Sequence, residues 1–158
     1  MVDIKNQENY EKIFLAYLLY KPALNKHVQS FYFKNEYISF IYGQFKNFYA
    51  KYTNSPSLRQ LWDLVKNSDG GKEISAEIFK NATSTDLGEY NEEWLDKNFE
   101  AWISSKSLDS SINEVIEYLR STKITTENIN DVVNSVKTIV NDRNNINYKF
   151  DLGLEFFE

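Results

Sequence analysis

The sequence contains no cysteine, two prolines, five glycines and a single histidine. Without cysteine there is no disulfide, no thiolate metal site and no cysteine nucleophile, which fits a reducing cytoplasm. The scarcity of proline and glycine argues against a turn-rich β fold and for helices. His27 is the sole imidazole that a Ser-His-Asp arrangement could use, and no nucleophile elbow accompanies it. No apolar run reaches the length of a bilayer-crossing helix, so no membrane association is expected. The opening residues Met1–Glu8 lack the apolar core of a secretion signal. Arginine is confined to Arg59, Arg120 and Arg143, whereas Asn and Lys abound. That bias points to an A+T-rich coding sequence more than to chemistry. A net charge of −5 excludes general electrostatic adhesion to phosphates, although a local basic patch remains open.

What is present is apolar and aromatic. Hydrophobic residues make up 42% and aromatic residues 16% of the 158 positions, enough for one domain with a core rich in Tyr, Phe and Trp. Apolar spacing predicts a first helix over about 6–20, with Tyr10, Ile13, Phe14, Tyr17 and Leu18 on its buried face. Pro22 ends it, because proline has no N–H and clashes with the preceding turn. A short helix over about 23–29 follows, then the apolar knot Phe31-Tyr32-Phe33. A long helix is predicted over 36–52, its face Tyr37, Phe40, Ile41, Phe45, Phe48, Tyr49 and Tyr52. Ser57 is positioned to cap the next helix, whose face is Leu58, Leu61, Trp62, Leu64 and Val65. Asn67-Ser68-Asp69-Gly70-Gly71 is the clearest breaker, and a weaker helix with Ile74, Ile78 and Phe79 comes after it.

Two further stripes dominate the C-terminal half. Trp94, Leu95, Phe99, Trp102, Ile103, Leu108, Ile112, Val115, Ile116 and Leu119 step mostly by three and four, as do Ile129, Val132, Val133, Val136, Ile139 and Val140. The polar segment Ser121–Thr126 joins them, which predicts an antiparallel helical hairpin. The expected fold is therefore all-α, a compact helical head over 1–82 followed by a long antiparallel hairpin over 90–141 of the same domain. Residues 142–158 are expected to be a linker. Their apolar stretch Tyr148–Glu158 either docks back on the head or leads into a further domain, and the second reading is preferred. A hairpin of this kind needs a partner for its outer stripe, and a second copy is the natural one. Trp102, Leu108, Ile112, Val115, Ile129, Val133 and Val136 are the candidate self-association residues.

Catalytic and ligand motifs are poorly supported. The only glycine pair, Gly70-Gly71, precedes Lys72 without the G-x-x-x-x-G-K-[ST] spacing or a preceding strand, so no nucleotide site is expected in this chain. Glu89, Glu92, Glu93, Asp96 and Glu100 cluster at helical spacing. They favour a helix N-terminus and a solvated face over a metal site, since no second ligand set is visible. Lys34, Lys46 and Lys51 interleave with Tyr42, Phe48 and Tyr49, as in stacking platforms for nucleic acid. Their spacing is that of a helical core, which is the preferred reading.

The layout resembles the N-terminal domain of DnaB-type replicative DNA helicases, particularly phage versions. Glu11 to Pro22, with Ile13-Phe14-Leu15-Ala16-Tyr17-Leu18-Leu19, is similar to that family's opening helix. Tyr32-Phe33-Lys34-Asn35-Glu36-Tyr37 resembles its aromatic step into the next helix, and Phe40-Ile41 through Phe48-Tyr49 resembles that helix. Asn54–Leu61 is like the segment that follows, Trp94 to Val140 like the helical hairpin, and Phe150-Asp151-Leu152-Gly153 like the stretch before the motor linker. The resemblance covers nearly the whole chain and rests on the order and separation of these segments. It implies a collar domain that forms homo-oligomers, dimers or a hexameric ring, through its hairpins and docks primase and the helicase loader. It implies that ATP and magnesium belong to a C-terminal motor domain, missing here, and that this chain alone is not an enzyme. It also implies a cytoplasmic location, in the bacterial host if phage-encoded, and leaves direct DNA contact open. Two other readings compete: a free-standing helical adaptor or phage regulatory protein, and a small all-α enzyme using the carboxylates near Glu92 and Asp96.

Overall fold

The computed structural model describes residues 4–144, with side chains from residue 9 to residue 141. The linker expected over 142–158 lies outside the described side chains, and 145–158 lies outside the described residues altogether. Among the described residues the chain is all helical. Six α-helices span α1 Ile4–Tyr20, α2 Glu36–Tyr52, α3 Leu58–Asn67, α4 Ala76–Thr83, α5 Glu92–Ser121 and α6 Ile129–Asn144. The chain forms two compact units, Met1–Leu95 and Asp96–Glu158, so α5 contributes its first turn to one and its remainder to the other.

In the first unit α2 packs against α1, α3 and α4, and α1 packs against α4. The core joins Phe14, Leu15, Tyr17 and Leu18 of α1 to Ile38, Ile41, Tyr42 and Phe45 of α2, with Leu61 and Val65 of α3 and Phe79 of α4. The segment after Pro22 is a 3-10 helix, Pro22–His27, that buries Leu24, and a 3-10 turn at Ser30–Tyr32 buries Tyr32. Several aromatic or apolar positions expected in the core are exposed instead: Tyr10, Tyr37, Tyr52 and Leu58. Tyr10 is nevertheless held in a ladder of stacked rings. Its ring lies 6.2 Å from Phe14 and 6.1 Å from Trp94, which in turn lies 5.6 Å from Tyr90. The ladder joins α1 to the first turn of α5.

The starts of α2 to α5 are each closed by a side chain, Ser57 at α3 being the cap expected from the sequence. Asn35 accepts from the N–H groups of Tyr37 and Ile38, Ser57 from Gln60 and Ser75 from Ile78. Asn91 does the same for Trp94 at α5. A less obvious support is Glu11, a carboxylate only 2% exposed on α1. Its two oxygens accept the backbone N–H groups of Lys34 and Asn35 at 2.9 and 2.8 Å, tying α1 to the entry of α2. The breaker after α3 is sterically strict. Gly70 has φ +89°, and a Cβ on Gly71 would stand 1.8 Å from the Val65 carbonyl oxygen.

In the second unit the buried positions are Phe99, Ile103, Ser107 and Ser111 on α5 and Val132 on α6. These α5 residues recur every four positions and form one face. The turn from α5 to α6 is pinned locally. Asn128 Oδ1 accepts the Thr125 N–H at 2.7 Å, Thr125 Oγ1 accepts the Asn128 N–H at 3.2 Å, and Asn128 Nδ2 donates to the Lys123 carbonyl at 2.8 Å.

Candidate self-association surface

The apolar residues of α5 do not lie on one face, as their near-regular spacing suggests. Phe99 and Leu108 are nine residues apart, as are Ile103 and Ile112. Nine residues are about two and a half turns, so each pair points to opposite sides of the helix. Phe99 and Ile103 are buried. Leu108, Ile112, Ile116 and Leu119 are 45%, 47%, 40% and 38% exposed. The phase changes at the five-residue step from Ile103 to Leu108, which the sequence displays and which a count of threes and fours passes over. The C-terminal half of α5 thus turns an apolar face to solvent that its N-terminal half does not share.

Along that face Leu108, Ile112, Val115 and Leu119 follow each other by four, three and four. On α6 the set Ile129, Val133, Val136 and Val140 keeps the same spacing. Steps of four and three place side chains along a narrow seam of the kind that pairs helices by interlocking knobs and holes. Ile129 and Val133 are 40% and 43% exposed, and Val115, Val136 and Val140 are half-buried. Scattered exposed aliphatics are ordinary on a protein surface. Leu108, Ile112, Ile116 and Leu119 form one exposed row on α5, and Ile129 and Val133 stand exposed on α6.

Trp102 stands apart from the other candidates. It is half-buried, its ring 5.9 Å from Phe99, and about 120° around α5 from Leu108. That position belongs to the flank of the buried face and not to the exposed seam. Leu108, Ile112, Val115, Ile129, Val133 and Val136 keep places consistent with a seam. Ile116 and Leu119 are the exposed residues that the candidate set left out, although the apolar stripe contains both.

The other constellations resolve differently. Tyr42 is fully buried, and its hydroxyl donates to Asn25 Oδ1 at 2.7 Å, so it serves the core and stacks on no ligand. Burial pushes the Tyr42 phenol well above its ordinary pKa. Lys46 reaches inward to donate to the Val28 carbonyl, and partial burial lowers its pKa. Phe48 packs on Tyr52 with ring centroids 4.6 Å apart. In the acidic group Glu92 lies 3.7 Å from Lys21, and among the described residues no three His, Asp or Glu side chains converge to hold a metal ion. His27 is half-buried at the end of its 3-10 helix.

Compared with family models, with curated proteins and with solved structures, the chain matches none.

Proposed function

We propose that this chain is an assembly module whose α5 and α6 pair with a second copy. The reading extends to the N-terminal oligomerising and primase- or loader-docking domain of a DnaB-type replicative helicase. The observation that carries self-association is the exposed row Leu108, Ile112, Ile116 and Leu119, set on the side of α5 opposite the buried Phe99 and Ile103. A helix that already buries one face and still presents a second apolar face gains free energy by covering it, at roughly 25 cal/mol for each Å² removed from water. The antiparallel arrangement of α5 and α6 belongs to this proposal, and the pinned turn Lys123–Asn128 supports it.

The helicase part rests on the order of segments along the sequence. It is tested by reading the parent gene beyond the codon for Glu158. A G-x-x-x-x-G-K-[ST] motif in the same frame is the expected result, because the resemblance requires a phosphate-binding motor there. A stop codon at that point would favour the free-standing adaptor. The self-association part is tested separately by solution mass, because either half of the proposal can fail alone.

A further inference from the structure

Asp69 is the only aspartate of the chain that is followed by glycine, and it lies in the breaker between α3 and α4. An Asp-Gly step is the least hindered place for a main-chain nitrogen to attack a side-chain carboxyl, because glycine puts no Cβ beside its own nitrogen. The structure leaves both reacting groups free. Asp69 and Gly70 are exposed. Among the described residues the Asp69 carboxylate has no hydrogen-bond or ion-pair partner, and the Gly70 N–H makes no hydrogen bond. The amides around it are engaged: Ser68 N–H donates to the Val65 carbonyl at 3.3 Å and Gly71 N–H to the Ser68 carbonyl at 3.0 Å. The other described aspartates lie in helices, except Asp86, whose Oδ1 already accepts the Gly88 N–H at 2.9 Å.

We propose that Asp69-Gly70 is a modification site at which the chain isomerises spontaneously to isoaspartate. The Gly70 nitrogen attacks the Asp69 side-chain carboxyl carbon. An N–C bond forms, the C–OH bond breaks, and the amide proton and the hydroxyl leave as water, closing a succinimide ring. Water then opens the ring at either carbonyl. Cleavage at the side-chain carbonyl restores aspartate, and cleavage at the main-chain carbonyl leaves the peptide running through the side chain. The step needs no oxidant and no cofactor. Its product has one more methylene in the main chain, at a place with no room for it. The Ser68–Gly71 hydrogen bond closes a turn whose third residue, Gly70, has φ +89° and ψ −13°, the type II values. A Cβ on Gly71 would stand 1.8 Å from the Val65 carbonyl oxygen, and the Phe40 ring lies 3.4 and 3.2 Å from the Cβ positions of Gly70 and Gly71. Isomerisation therefore opens this turn and loosens the exit of α3. The inference is independent of the self-association proposed above.

The test is peptide mapping of the whole 158-residue chain, aged for weeks in the folded state at physiological temperature, with fragmentation that separates isoaspartate from aspartate. Isoaspartate should accumulate at Asp69 and not at Asp63, which lies inside α3. It should form faster in mildly acidic than in alkaline buffer, because the protonated carboxyl is the group attacked. Asp69→Glu should stop the reaction at this position, since ring closure would then need a larger ring, while circular dichroism shows an intact helical fold. Loss of the Ser68–Gly71 bond alone should lower the Tm of the isomerised chain by about 2–4 °C. Asp69→Glu aged alongside should keep its Tm. No more isoaspartate at Asp69 than at Asp63 would overturn the proposal. So would isomerisation at Asp69 in urea but not in the folded chain, or equal Tm values for the isomerised and the fresh chain.

Discussion

Replacing Glu11 by alanine should be among the most damaging single changes in the first unit. The carboxylate is 2% exposed and accepts two backbone N–H groups, from Lys34 at 2.9 Å and Asn35 at 2.8 Å. Hydrogen bonds to a charged group contribute about 1.5–3 kcal/mol each, more than neutral ones. The Lys34 and Asn35 donors are only partly buried, so water recovers some of what Glu11→Ala removes. A loss of about 3 kcal/mol is therefore expected in place of the full sum of two charged bonds. Glu11→Gln keeps one acceptor oxygen of similar shape and should lose about half as much. For a chain of this length 1 kcal/mol corresponds to roughly 2–4 °C in Tm, which puts Glu11→Ala about 6–12 °C below wild type. Urea unfolding followed by Trp fluorescence and far-UV circular dichroism measures both variants. A loss below about 1 kcal/mol for Glu11→Ala would refute the reasoning, as would Glu11→Gln being the worse of the two.

Two further outcomes follow from the interior. Tyr42→Phe removes the bond to Asn25 Oδ1 and should destabilise by about 1–2 kcal/mol at neutral pH. Because burial raises the Tyr42 pKa above 10, folding favours its protonated form: that stability is complete below pH 10 and is lost as pH rises above it. Tyr42→Phe should flatten the alkaline limb of a stability profile above pH 10, and an unchanged limb would count against this account. Gly71→Ala places a Cβ 1.8 Å from the Val65 carbonyl oxygen, so the turn after α3 must open; a loss of about 3 kcal/mol or more in chemical unfolding is expected.

Much of the first unit is legible in the sequence because local signals there agree with the tertiary outcome. The apolar spacing of 36–52 marks α2 and Ser57 marks the start of α3 where the structure has them, whereas the Asn35 cap of α2 emerges only from the structure. Gly70-Gly71 marks a break that steric contact with Val65 makes obligatory. Glu11 is not legible. A glutamate in an amphipathic helix reads as solvated, and only the fold brings the N–H groups of Lys34 and Asn35 to it. Tyr37 and Tyr52 have core spacing yet lie at the two ends of α2, and both are exposed. The largest departure is on α5. Its apolar residues count as one stripe until the five-residue step after Ile103 is converted to an angle, and then they separate into a buried face and an exposed one. The same step removes Trp102 from the candidate seam and leaves Leu108, Ile112 and their successors in it.

Those residues carry the central claim, and solution mass by light scattering over a wide concentration range tests it most directly. The wild-type chain should rise to twice the monomer mass or more as concentration increases. Ile112→Glu, which places a charge in the middle of the exposed seam, should remain monomeric while its far-UV circular dichroism stays unchanged. A wild-type chain that stays monomeric throughout the range would contradict the account, as would an Ile112→Glu variant that associates as wild type does.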